Sequence, residues 1–197
     1  MTKRIVIFAS GSGTNAQNII EYFNKNGKAE VKMVLSNKKE AGVLQRARNF
    51  NVNAISFTKE ELYASEKILD ILKEINPHLI VLAGFLLKFP DTILNEFPNK
   101  VINIHPALLP KYGGKGMYGS FVHEAIHKNE ELETGITIHY VNENYDEGAV
   151  IFQKTISISS DDTPQTIAQK VHKLEYENFP KVIENLLFSE EKNNFNG

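Results

Sequence analysis

The chain has 197 residues, 42% of them hydrophobic and 23% charged, with a net charge of −2, the balance of an ordinary globular domain. That charge is too small, and of the wrong sign, to draw the chain to nucleic acid, and no run of Lys or Arg builds a local basic patch. The absence of cysteine excludes disulfides, thiolate metal sites and a cysteine nucleophile. No apolar stretch approaches the ~20 residues that a membrane helix needs.

The elements follow in chain order. Residues 5–9 (Ile-Val-Ile-Phe-Ala) are a continuous β-branched and apolar run, the pattern of a central parallel strand buried on both faces. The run is also too short for the apolar region of a secretory signal, so the chain is expected to be cytoplasmic. Ser10-Gly11-Ser12-Gly13-Thr14-Asn15 breaks the strand, and Ile19, Ile20 and Phe23 then mark one face of a helix ending near Gly27. Strands are expected over residues 31–35 and 53–57, with a helix over 41–50 between them. Leu62, Ile68, Leu69, Leu72 and Ile75 suggest one long amphipathic helix over 60–75, stopped by Asn76-Pro77.

Further strands are expected over 79–83 and 101–105, separated by a short helix over 90–97 with Pro90 in its first turn. A helix over 120–128 follows, then a late strand pair over 134–141 and 149–158. A last long helix runs from Pro164 to about Phe188, with Thr163 as its N-cap. Residues 189–197 read as a polar tail. Alternating strands and helices imply right-handed βαβ units. The fold class expected is α/β: a Rossmann-like three-layer sandwich, with a mostly parallel twisted sheet, an antiparallel C-terminal strand pair and helices on both faces. Residues 1–188 are expected to form a single domain.

Ligands in such sheets sit beyond the carboxyl ends of the strands. After the first strand, Gly11 and Gly13 permit a tight turn and a close approach to a ligand. The following helix offers free N–H groups and a positive dipole end, to which Ser12, Thr14 and Asn15 add donors. An anion site is the favoured reading over a turn that merely packs the helix. Gly11-x-Gly13-x-x-Ala16 also fits a dinucleotide fingerprint, but that fingerprint expects an acid about 20 residues on, and the second strand ends in Leu35-Ser36-Asn37.

Asn103 and His105 lie on one face of an otherwise apolar strand, which Pro106 ends. Polar groups there need partners or a cleft. A histidine can act as acid or base, and an asparagine amide can donate to a carbonyl oxygen that gains charge. The residues alone leave a catalytic pair and a hydrogen-bonded core pair equally open.

The strings Ser10-Gly-Ser-Gly-Thr-Asn15, Ala83-Gly84-Phe85, Asn103-Ile-His-Pro-Ala-Leu-Leu-Pro-Lys-Tyr112 and Gly135-Ile-Thr-Ile-His-Tyr-Val141 with Asp146-Glu-Gly148 resemble the phosphoribosylglycinamide formyltransferase family. The likeness runs from Arg4 to about Ile183. It implies an enzyme of purine biosynthesis that uses 10-formyltetrahydrofolate as co-substrate and no metal. It implies Asn103, His105 and Asp146 as the catalytic trio. It also implies a substrate site of Gly11, Ser12, Gly13, Thr14, Asn15, Lys111 and Glu175. The folate would lie against Leu86, Leu87, Lys88 and Phe89, against Asn103, and against the segment Asn142, Glu143, Asn144, Tyr145 and Asp146. Partners would be small molecules only, with no nucleic acid and no membrane, and the state a monomer or homodimer.

Two departures stand out. Leu87 occupies a place where many relatives carry Arg. Gly113 to Gly119 replaces a Pro-Gly and His-rich segment and reads as a lid. Related rivals are a methionyl-tRNA formyltransferase, which would need a further C-terminal domain, a formyltetrahydrofolate hydrolase, which would carry an N-terminal regulatory domain, and a sugar-amine formyltransferase. A nucleotide-binding regulatory module is the non-enzymatic rival. His123-Glu124-Ala125-Ile126-His127 spells a zinc-protease motif. It is read as a chance match on an amphipathic helix with Val122, Ala125 and Ile126 facing inward.

Overall fold

The computed structural model describes residues 2–193, with side chains described as far as Ser189. The chain forms two compact units: one takes the chain up to Phe85 and again from Asn178, the other takes Leu86–Glu177.

In the first unit β1 (Lys3–Phe8) leads to α1 (Thr14–Asn26), β2 (Ala29–Ser36), α2 (Gly42–Asn49), β3 (Asn53–Ser56), α3 (Lys59–Tyr63), α4 (Lys67–Ile75) and β4 (Leu79–Leu82). The four strands are parallel in the order β3-β2-β1-β4. β1 and β4 carry unbroken apolar runs because both of their faces are covered: Ile5 through Phe8 are fully buried, as are Ile80 and Val81. α1 buries Ala16, Ile19, Ile20 and Phe23, and stops where left-handed Gly27 donates its N–H to the Phe23 carbonyl.

The long helix expected over 60–75 is two helices. Leu62 and Ile68, both buried, are six residues apart. A period of 3.6 sends two such positions to different faces, so a continuous helix could not bury both. The chain resets its phase at Ser65, whose hydroxyl donates to the Glu61 carbonyl and accepts from the Lys67 N–H. α3 itself begins with a capping box between Thr58 and Glu61.

The second unit holds α5 (Asp91–Glu96), β5 (Val101–His105), α6 (Ser120–Lys128), β6 (Glu133–Tyr140), β7 (Val150–Ser157) and the start of α7 (Pro164–Asn193). β5 and β6 are antiparallel, as are β6 and β7. Pro90 is the N-cap of α5 in extended geometry, one step before the first-turn place expected for it. α7 opens as anticipated, with Pro164 first. Thr163 and Thr166 exchange hydrogen bonds between hydroxyl and backbone N–H in both directions. Pro180 lies inside α7 and has no N–H to donate to the Tyr176 carbonyl. α7 continues to Asn193; of the tail expected over 189–197, residues 194–197 lie outside the described residues. The seven strands make a mixed, mostly parallel α/β sheet with an antiparallel C-terminal pair. No helix among the described residues is long and apolar enough to cross a membrane.

Candidate active site

In the first unit the turn after β1 is set by its backbone. Ser10 donates its N–H to the Gly84 carbonyl and its hydroxyl to Asn37 Oδ1 at 2.6 Å. Asn37 thus serves the turn, at the point where a dinucleotide fold would place its ribose-binding acid. Gly13 is the N-cap of α1, at φ 79° and ψ 28°, and a Cβ there would lie 2.4 Å from Val43 Cβ. Both the left-handed angle and the contact require glycine. Gly11 meets neither constraint, since a Cβ there would have nothing within 4 Å. No side chain caps α1, and no acid sits in its first turn. With no acid in the first turn, the positive dipole end of α1 is not neutralised there, as an anion site requires.

The second unit gathers the polar side chains. Asn103 and His105 share a face of β5, and register places Asn103 opposite His139 and His105 opposite Thr137 on β6. Asp146 comes from the loop between β6 and β7 and sits at φ 57°. Its Oδ2 accepts the Gly114 N–H at 2.9 Å and lies 3.6 Å from His105 Nδ1. Its Oδ1 lies 3.5 Å from both Asn103 Nδ2 and His139 Nε2. The other ring nitrogen of His105, Nε2, is 2.7 Å from the Tyr112 carbonyl, to which it donates. His105 is 3% exposed and His139 2%. The three residues implied by resemblance therefore converge in one largely dry place.

Electrostatics there divide the roles. Burial pushes the His105 imidazole down, against the upward pull of Asp146 and the Tyr112 carbonyl. Burial alone would push the Asp146 carboxyl up. The neighbouring His139, the charge of His105 and the Gly114 N–H outweigh it, and the carboxyl ends below its ordinary value. A neutral His105 that donates from Nε2 turns its Nδ1 lone pair toward an ionised carboxylate. A proton arriving at Nδ1 would find its partner already in place.

The remaining expected residues scatter in character. Lys111 is exposed and its ammonium pairs with Glu131 at 3.0 Å. Glu131 also accepts from the Tyr112 hydroxyl at 2.8 Å. Glu175 is buried, 3.6 Å from His172 Nδ1. Leu86 is exposed, Leu87 half-buried, and Phe89 is a core residue. Lys88 lies 3.5 Å from Asp91. Asn142 turns the next loop by accepting the Asn144 N–H, while Glu143, Asn144 and Tyr145 face solvent.

In the zinc-like motif His123 is buried whereas His127 is exposed. Burial pushes the His123 imidazole down to about 4. The inward face is Val122, His123 and Ile126, with Ala125 only half-buried, which corrects the expected set. No group of three or more potential ligands among the described residues is placed to hold a metal.

Three participants carried no assigned role in the sequence: His139, the Gly114 N–H and the Tyr112 carbonyl. The period-two pattern of Gly135 to Val141 puts His139 and Thr137 on one face, a signal of the same kind that marked Asn103 and His105.

The formyl transferase family model matches residues 3–183. The chain belongs to that family. It is 36% identical over 190 residues to the phosphoribosylglycinamide formyltransferase of Bacillus subtilis, covering 94% of this chain and 95% of the relative. It is 33% identical over 187 residues to the chloroplastic phosphoribosylglycinamide formyltransferase of Arabidopsis thaliana, covering 92% of this chain but only 64% of that relative's length. Among solved structures, glycinamide ribonucleotide transformylase 1 from Geobacillus kaustophilus superposes with a TM-score of 0.85 at 34% identity, over 95% of this chain and all of that one (100%).

Proposed function

We propose that this protein moves the formyl group of 10-formyltetrahydrofolate to the amine of 5-phosphoribosylglycinamide, giving formylglycinamide ribonucleotide and tetrahydrofolate. The observation that carries the reading is the meeting of buried His105 with half-buried Asn103 and Asp146, with Asp146 within 3.6 Å of both partners.

The substrate amine attacks the formyl carbon, and a C–N bond forms as the carbonyl electrons move to oxygen. An Asn103 N–H donates to that oxyanion. A protonated His105, with Asp146 at Nδ1 and the Tyr112 carbonyl at Nε2, adds positive charge beside it. The amine proton passes by way of Asp146 to the folate nitrogen, which leaves as its bond to carbon breaks. In the first unit, the first turn of α1 with Gly11, Ser12, Gly13, Thr14 and Asn15 receives the substrate phosphate. Leu86 and Leu87, with the backbone of 142–146, receive the folate.

The test is incubation with 10-formyltetrahydrofolate and equal concentrations of glycinamide ribonucleotide and phosphate-free sugar amines, following folate release and the formylated product. Glycinamide ribonucleotide should be formylated preferentially. A preference for a sugar amine, or no transfer to any amine, removes the assignment.

A further inference from the structure

His139 is 2% exposed, and both of its ring nitrogens have partners. Nδ1 lies 2.8 Å from the Tyr140 carbonyl oxygen. An oxygen of that kind only accepts, so Nδ1 carries the hydrogen, and in the neutral ring Nε2 is a bare lone pair. The Asn103 amide atom 3.1 Å from Nε2 must then be the nitrogen. The reverse orientation would turn Asn103 Oδ1 toward a lone pair and toward the Asp146 oxygen that stands 3.5 Å from the same amide group, two repulsive contacts in place of two attractive ones. The direction of the Asn103 amide therefore follows from the tautomer of His139.

The Asn103 amide has two hydrogens. One is taken by His139 at hydrogen-bonding distance. Among the described residues the other has only the longer contact to Asp146 Oδ1, which an oxyanion can displace.

The backbone that selects the tautomer is itself a built feature. The β6–β7 register shifts between Ile138 and His139, and the Tyr140 N–H goes to the Ala149 carbonyl at 2.9 Å. A Cβ on Gly148 would stand 1.7 Å from the Tyr140 oxygen. The carbonyl that holds Nδ1–H thus occupies space that only glycine leaves open.

We propose that His139 is a positioning residue for formyl transfer: its Nε2 lone pair, held by the Nδ1–H bond to the Tyr140 carbonyl, anchors one hydrogen of the Asn103 amide and so aims the other at the oxygen that gains charge. This inference rests on the role given to Asn103 above. It adds a residue that touches neither the amine nor the formyl carbon, and it acts through orientation alone.

Two substitutions separate positioning from packing. In His139→Gln the longer amide brings an acceptor oxygen to the place of Nε2. In His139→Asn the shorter amide reaches only the place of Nδ1 and leaves Asn103 without its anchor. The expected result is a kcat for His139→Asn lower by about tenfold to a hundredfold, short of the ~10²–10³ typical of deleting an oxyanion donor. KM for both substrates should stay near wild type, and His139→Gln should restore most of the rate. Equal losses in both variants, or a rate for His139→Asn like that of wild type, would overturn the proposal.

A second measurement does not depend on the variants folding. The 15N shifts of His139 in labelled wild-type protein should show hydrogen on Nδ1 and a bare Nε2. Hydrogen on Nε2 instead would overturn the proposal whatever the kinetics. Asn103→Ala keeps the two readings apart: unchanged turnover in that variant would remove the catalytic role of Asn103 itself, and an inactive wild type would remove the proposed function.

Discussion

The turn at residues 11–15 and the cluster around Asp146 are made of different material. The turn works through backbone: a left-handed glycine, a run of helix N–H groups, and no acidic side chain in the first turn of the helix. The cluster works through side chains whose protonation and tautomer matter, each fixed by a backbone group of its own: the Tyr112 carbonyl for His105, the Tyr140 carbonyl for His139 and the Gly114 N–H for Asp146. The first arrangement offers a fixed field for an anion. The second can change charge and move protons. The two regions thus differ in what they can offer a ligand, which is the basis of the separate roles proposed for them.

The comparison breaks most visibly at Asp146. Asp146→Asn keeps a residue that tolerates φ 57° and an oxygen able to accept the Gly114 N–H, so the fold should persist. What it removes is the negative charge beside His105. Turnover should fall by about 10²–10⁴-fold, the range for a positioned acid–base group, with the melting temperature close to wild type. Comparable turnover in the two proteins, measured as folate release at saturating substrate, would return the chemistry to some other group.

Gly13→Ala is the counterpart in the turn, and its damage should be structural. The substitution forces a side chain into the left-handed region, at a cost of order 1–3 kcal/mol, and into Val43, whose Cα would lie 2.6 Å from the new Cβ. Gly11→Ala faces open space and should stay within about 0.5 kcal/mol of wild type. Urea denaturation midpoints of the two variants check the contrast. Equal destabilisation would mean that the turn is held by something other than Gly13.

Those two regions were also unequally legible. The turn is local, so six consecutive residues announced its geometry, though not that Gly13 alone is sterically required. Asn103 and His105 were visible as polar interruptions of an apolar strand. Asp146 was not visible in that way: an acid in a polar loop looks like any other, and only the resemblance singled it out. His139 sat in a quoted string without a role, because its meaning depends on the β5–β6 register that places it opposite Asn103, and pairing between strands more than thirty residues apart is not written in either strand. The carbonyls of Tyr112 and Tyr140 leave no trace in residue type at all. The break between α3 and α4 was readable from the six-residue spacing of Leu62 and Ile68, but an overall apolar face concealed it.

A second carboxylate sharpens what is special about Asp146. Asp162 accepts from the Lys170 ammonium at 2.6 Å, from the Ser159 N–H at 2.8 Å and from the Thr166 hydroxyl at 3.0 Å, and these partners, led by Lys170, hold its carboxyl down to about 2. It has no histidine beside it, and its work is to fasten the turn before α7. Its folded value lies below the ~3.9 of an unfolded aspartate, so the folded state binds the proton less readily than the unfolded chain. The stabilisation is therefore complete above about pH 4 and is lost as pH falls from about 4 toward 2. A plot of melting temperature against pH should show wild type falling more steeply than Asp162→Asn across that window, with the two curves parallel near neutrality and turnover at pH 7 unchanged. If Asp162→Asn instead lost turnover at pH 7, Asp162 would join Asp146 in the chemistry; if the curves stayed parallel down to pH 2, Lys170 would not be holding the charge.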